Sequence, residues 1–323
     1  MGVECYDFDR HHLPGKTLSI RADYFMFSVP ALFVLLFFGD VTTARQGITK
    51  VADAHRRVLT RVQQGQAKAE DYIWEMFMPT SVLPWVLLSL DDMATLREFM
   101  ANSMIGKVLE DEKYRAALAS VWNGGLLGQL KTEDGHYHSA CETFLLLVRG
   151  IFVLLDENAT AAALREWLPP PAELLRIAEH ELAWRGFICG PGINPALLCA
   201  RLHGERLGDW KATAEVAEGV LKIEEFNPLL RTEACRLLGR ARHELGERKA
   251  ACEAAEAARA EAAKARYVWL ELMSLRDLLR WSDAADAEGV RSRLSSVAGR
   301  MAASAEELAG VLGEGVSSSV LDA

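Results

Sequence analysis

Apolar residues recur along this chain three and four positions apart, the period of a half-buried helix. The helical runs come in pairs, each pair divided by a short acidic or glycine turn. Leu32–Phe38 runs into Gly39-Asp40, and Val41 to Val58 follows. Val82–Leu90 runs into Asp91-Asp92 before Met93 to Leu109, and Phe144–Leu155 into Asp156-Glu157-Asn158 before Thr160 to Leu168. Then come Ala196–Leu207, Gly208-Asp209 and Trp210–Ile223; Thr232–Leu245, Gly246-Glu247 and Arg248–Ala265; and Tyr267–Leu279, Ser282-Asp283 and Ala287–Leu308. Asp, Asn or Ser at such a turn caps the next helix, while Gly accepts the left-handed ending of the one before. No run alternates apolar and polar residues between hairpin turns. The pattern predicts an all-α chain of antiparallel helical hairpins.

Two of these hairpins are near-duplicates. The segment Leu207-Gly208-Asp209-Trp210-Lys211-Ala212-Thr213-Ala214-Glu215-Val216-Ala217-Glu218 returns as Leu245-Gly246-Glu247-Arg248-Lys249-Ala250-Ala251-Cys252-Glu253-Ala254-Ala255-Glu256, at a constant offset of 38. A period in this range marks stacked helical pairs. Spacing is longer and uneven before residue 169, where Pro169-Pro170-Pro171 and later Gly190-Pro191-Gly192 interrupt helices. The organisation expected is an irregular helical-hairpin region over 1–168, a Pro/Gly-rich connection over 169–194, regular repeats over 195–312 and a flexible tail over 313–323. The whole could also run as one continuous solenoid.

At these residues the chain resembles the tetratricopeptide repeat family, most clearly over 194–265. Leu238-Gly239 stand where that family places its Leu-Gly, Gly246-Glu247 fill the turn between helix A and helix B, and Ala251 and Ala258 take the two small positions of helix B. The preceding unit keeps Gly208-Asp209, Trp210 and Thr213, with Pro228 as its closing proline. Cys235, Arg242 and Ala255 depart from the pattern, where an aromatic, a tyrosine and a large residue are usual. The resemblance implies a right-handed solenoid whose A helices line a concave face that holds a peptide or helix of a partner. It does not extend to the chaperone-binding subset, which uses Lys and Asn where this chain has Arg236 and Arg240.

Composition narrows the partner. The chain has 323 residues, a net charge of −9, half its residues hydrophobic and a quarter charged. That supports a real core and argues against duplex nucleic acid, which needs a dense cationic field. The charge is uneven: residues 231–300 hold 14 Lys and Arg against 11 Asp and Glu. Helix A positions at i, i+3, i+4 and i+7 share a face. In the best unit these are Glu233, Arg236, Leu237, Arg240, His243 and Glu244. Arg276 and Arg280 follow in the next unit, and Arg206 lies at the equivalent late position of the preceding one. Guanidiniums hold carboxylates bidentately, so Arg206, Arg236, Arg240, His243, Arg276 and Arg280 are the expected groove for an acidic peptide or a C-terminal carboxylate. The alternative is that these arginines pair with neighbouring Glu residues and are simply solvated.

Other chemistry is sparse. His136, His138 and Cys141, with Asp134, could share a metal, but their spacing matches no zinc pattern, and a polar loop is the plainer reading. Gly124-Gly125 lacks the Lys-Ser/Thr of a phosphate loop, and no G-x-S-x-G elbow occurs. No enzyme activity and no cofactor are expected. The six cysteines, Cys5, Cys141, Cys189, Cys199, Cys235 and Cys252, form no CxxC pair. They fit a reducing, cytoplasmic setting. Tyr24 to Phe38 is too short to span a membrane and contains Ser28 and Pro30, so a buried helix is expected there. Exposed apolar surface around its Phe25, Phe27 and Phe33 could alternatively form a partner or oligomer contact. The leader Met1–Asp23 does not read as a signal peptide, and Tyr6 stands where Gly2 myristoylation wants Ser or Thr. Trp74, Trp85, Trp122 and Trp269 read as core. A non-catalytic adaptor is the favoured function. The alternatives are a structural subunit of a larger assembly, or a metal-binding or enzymatic helical protein with a site around 134–141.

Overall fold

The structure is a computed structural model. It describes residues 31–66, 83–84, 86–90, 92–103, 140–156, 158–183, 194–223 and 228–312. Among these the chain is helical and contains no strand; the one extended pairing is a parallel bridge between Asp40 and Ala302. The all-α expectation is met. The chain divides into two compact units. One comprises Met1–Val34 with Thr43–Leu155, the other Leu35–Thr42 with Asp156–Ala323.

The first unit contains the start of α1 (residues 31–37), most of α2 (Val41–Gln63), α3 (Met93–Ala101) and α4 (Ala140–Leu155). Gly47 is the contact point of α2 with Leu32, whose Cδ2 lies 2.3 Å from where a Cβ would stand. Arg45 reaches Asp92 at 2.9 Å, and Asp92 also caps α3 by accepting from the Thr95 amide. The ring of the buried His55 lies 5.5 Å from that of Phe99. Phe33 is fully buried, which corrects its reading as an exposed partner contact; Phe25 and Phe27 lie outside the described residues. Helix α3 stops earlier than the apolar run suggested. Asn102 closes it, its side-chain amide donating to the Glu98 carbonyl at 2.9 Å.

The second unit is a row of helices: α5 (Ala161–Arg165), α6 (Pro171–Ala183), α7 (Pro195–Leu207), α8 (Trp210–Leu221), α9 (Pro228–Glu244), α10 (Arg248–Ala265), α11 (Val268–Trp281), α12 (Ala284–Ala298) and α13 (Ala305–Leu312). From α6 to α12 each helix packs on the next in sequence. In addition α7 touches α9, α9 touches α11, and α6 touches α8.

The turns repeat with the same geometry. Gly208 and Gly246 take φ of 70° and 80°, and the acid that follows each, Asp209 and Glu247, sits at φ −89°. The left-handed step costs glycine nothing and lets the next amide reach back over the helix end. Asp209 donates to the His203 carbonyl and Glu247 to that of Arg242, both at 2.8 Å. Asp209 then caps α8 through Ala212. Glu247 makes no side-chain cap; its carboxylate is engaged by Arg242 instead. Arg266 makes the equivalent turn without glycine, at φ 61°.

Prolines start helices here as well as interrupting them. Pro171 opens α6 inside the Pro/Gly-rich stretch, and Pro228 opens α9 rather than closing the unit before it. A first-turn position needs no amide donor and welcomes the fixed φ. Thr160–Leu168 yields only the short α5, stopped before Pro169. The run Ala287–Leu308 is not continuous. It breaks at Gly299, and α13 starts afresh from a reciprocal cap in which Ser304 and Glu307 each accept the other's amide, at 2.7 and 3.1 Å.

Small residues set the spacing of the row. A Cβ on Gly239 would lie 2.7 Å from the Trp281 ring and 3.1 Å from the Ala251 carbonyl oxygen. Ala251, Ala255, Ala258 and Ala262 of α10 are fully buried. Trp269 is likewise fully buried, as a core residue should be; Trp74, Trp85 and Trp122 lie outside the described residues. Gly289, by contrast, has nothing within 4 Å of a would-be Cβ. Gly239→Ala is therefore expected to cost about 2 kcal/mol, since the backbone oxygen cannot yield. Gly289→Ala should gain about 0.5–1 kcal/mol from helix propensity. Urea unfolding of the two variants, followed by helix content, checks the opposite signs.

Candidate functional site

The arginines singled out from the sequence stand mostly on α7, α9 and α11, the alternate helices that touch. Arg236 and Arg240 are answered by carboxylates on neighbouring helices, and Arg276 by the adjacent Asp277 on its own. Arg236 on α9 reaches Asp277 on α11 at 2.8 Å and Glu233 on its own helix at 3.5 Å. Asp277 also holds Arg276, 3.6 Å away. Asp277 and Arg276 are both buried. Arg240 bonds Glu205 on α7, which is itself held by Arg201 at 2.7 Å. The Arg240 guanidinium also lies 5.4 Å from the centre of the Trp210 ring, a cation–π distance. His243 stacks on Trp281, centroids 5.6 Å apart and planes 21° apart.

The helices place these groups by period. Positions 233, 236, 240 and 243 lie on one stripe of α9. Small or buried residues, Thr232, Cys235 and Gly239, turn the adjoining stripe inward. Arg206 is half-buried on α7, one residue beyond the carboxylate that Arg240 uses, and Arg280 is exposed near the end of α11. Arg236, Arg240 and Arg276 thus stand in a ladder of alternating sign rather than a strip of bare cations. The sequence reading counted the arginines and missed Glu205, Asp277 and Trp210. One signal was present: Glu205 follows Arg201 by four, the spacing of a pair on one helix face; no spacing marks Asp277.

A second feature lies where α6, α8 and the end of α9 meet. A groove of about 570 Å³ is lined by Leu175, Lys211, Glu218, Lys222, Arg242 and Leu245, among others. Arg242 bridges Glu247 and Glu218, and these hydrogen bonds, Glu247 first, hold its proton more tightly than usual. Arg242 thus ties α9 back to α8. Positive and negative groups alternate around this groove too, and no nucleophile with a base beside it lines it.

The other candidate residues lie mostly outside the described part of the chain. His136 and His138 lie outside the described residues, and Cys141 stands in the first turn of α4. Among the described residues no three His, Cys, Asp or Glu converge as a metal would need, and no helix is long and apolar enough to cross a membrane. Cys235 is buried against Arg231 and Glu261. Desolvation raises its thiol pKa to about 11, Arg231 opposing and Glu261 reinforcing the shift. The thiolate is the reactive form. Cys235 is therefore expected to resist an aromatic disulfide reagent at pH 8 in the native protein and to react at once in denaturant. Rapid native labelling of Cys235, read by peptide mass, would contradict this burial.

Compared with family models, with curated proteins and with solved structures, the chain matches none.

Proposed function

We propose that the chain is a non-catalytic protein-interaction adaptor. Its second unit is a tetratricopeptide-like superhelix of helical hairpins that holds a peptide or helix of a partner protein along the face of α7, α9 and α11. One observation carries this reading: those alternate helices touch one another, while consecutive turns repeat the same left-handed glycine geometry. Rows built that way present their A helices as a continuous surface.

The ladder on that face refines the partner. An acidic peptide must displace Glu205 or Asp277 from an arginine before it gains a bond of its own. Breaking a buried charge pair is costly, about 3–5 kcal/mol when one partner is lost. Arg240, whose side chain is 44% exposed, is the easier rung; Arg236, at 16%, is the harder. A ligand carrying both signs, threading its acids to Arg240 and Arg280 and its bases to Glu205 and Glu233, fits better than a purely acidic one. Shape and aromatic contact at the half-buried Trp210 supply affinity, and the charges supply register.

Panning a peptide library on the full-length chain, followed by titration of the enriched peptides, tests this. Arg236→Ala/Arg240→Ala is expected to weaken binding at least about tenfold with helix content retained. Glu205→Gln, which frees Arg240 from its carboxylate, is expected to tighten acidic peptides. Unchanged affinity in the double variant ends the assignment of this face.

A further inference from the structure

The groove where α6, α8 and the end of α9 meet has α8 as its long wall. Lys211, Glu215, Glu218 and Lys222 line it, and their spacings of four, three and four keep them on one stripe of the helix. Its apolar part is the half-buried Leu175 and Leu245 with the small Ala214 and Gly219. A Cβ on Gly219 would collide with Leu175, so that leucine rests on the bare backbone of α8. The volume, about 570 Å³, is of the size that ligand sites take.

The near-duplicate of this stretch is closed where this one is open. Lys249, Glu253 and Glu256 of α10 repeat Lys211, Glu215 and Glu218 at the offset of 38. On α10 Lys249 pairs with Glu253 at 3.9 Å, and Glu256 holds Arg259 at 2.7 Å and Arg293 at 3.1 Å. On α8 Glu218 is answered by Arg242, which also holds Glu247. Lys211, Glu215 and Lys222 are exposed and make no ion pair among the described residues.

We propose that this groove seats an extended segment of a partner protein, one with an acid at each end and a base and apolar residues between. Lys211 and Lys222 bracket the stripe, roughly 16 Å apart along the helix axis. The groove volume spread over that length leaves a channel roughly 6 Å across, too narrow for a helix of about 10–12 Å and open to an extended chain. Such a chain covers the distance in about five residue steps. Charge sets the order of its side chains. The groove is positive at both ends and negative between them, where Glu215 is unanswered and Arg242 faces two carboxylates with one charge. A ligand of the opposite order gains its pairs with Lys211, Glu215 and Lys222 without breaking any pair already made, whereas a ligand at Arg240 must displace Glu205. The leucines give its apolar residues a surface to cover.

Fluorescence anisotropy on the full-length chain tests the proposal. The probe is a labelled six-residue peptide with a glutamate at each end and one lysine, two leucines and an alanine between. The unsubstituted chain is expected to bind it saturably. Lys211→Glu/Lys222→Glu should weaken that binding at least about tenfold with helix content retained. A second peptide with lysines at the ends and a glutamate between should reverse the preference and favour the double variant. Arg236→Ala/Arg240→Ala should leave the affinity for the first peptide unchanged; a loss there instead would put the probe on the face of α7, α9 and α11 and overturn the groove as its seat. Equal affinity of the unsubstituted chain and the lysine double variant, or no saturable binding by the unsubstituted chain up to about 1 mM, overturns it as well.

Discussion

The close approach of α9 to α10 at Gly239 is the constraint on which the second unit depends. A Cβ at Gly239 would stand 3.1 Å from the Ala251 oxygen, so a larger residue enters only if the neighbouring backbone shifts. Everything on either side follows from that tight seam. The alanines of α10 are buried because the neighbouring helices come close enough to cover methyl groups. Trp281 can lie over the glycine and meet His243 because nothing projects between them. With the helices so near, side chains of α9 reach both α7 and α11, and a ladder of ion pairs across alternate helices becomes possible.

Much of this was legible in the sequence, for reasons that can be named. The turns were legible because Gly followed by an acid is a local signal: Gly208 and Gly246 take the positive φ that the residue type permits. The seam was legible because Gly239, Ala251 and Ala258 are small at spacings that only matter for packing. Helix ends were less so. The break after Ala298 depends on a cap between Ser304 and Glu307, which lies inside an otherwise helical apolar pattern. The turn at Arg266 was hidden because a bulky residue fills a left-handed position. Residues 35–42 were the least legible. Their partners lie at the other end of the chain, and no periodic pattern encodes contact across such a separation.

The candidate site was legible in its cations and illegible in their pairing. Residue spacing places Arg236 and Arg240 on one stripe, because the helical period is fixed. It says nothing of which carboxylate on another helix stands opposite. Asp277 and Glu205 complete the face only through the packing of α9 between α7 and α11. That packing converts a stripe that looked cationic into one of alternating sign, and it changes the character of any ligand that would fit it.

The two kinds of link in the row differ in what weakens them. Consecutive helices are joined chiefly by buried small and apolar residues, while α7 meets α9 through the Arg240–Glu205 pair and α9 meets α11 through the Arg236–Asp277 pair together with Trp281 lying against Gly239. Dissolved salt weakens a pair in proportion to its exposure, so Arg240, whose side chain is 44% exposed, feels it more than the mostly buried Arg236 and Asp277. The join of α7 to α9 is therefore the salt-sensitive one, and the join of α9 to α11 keeps its hold as ionic strength rises.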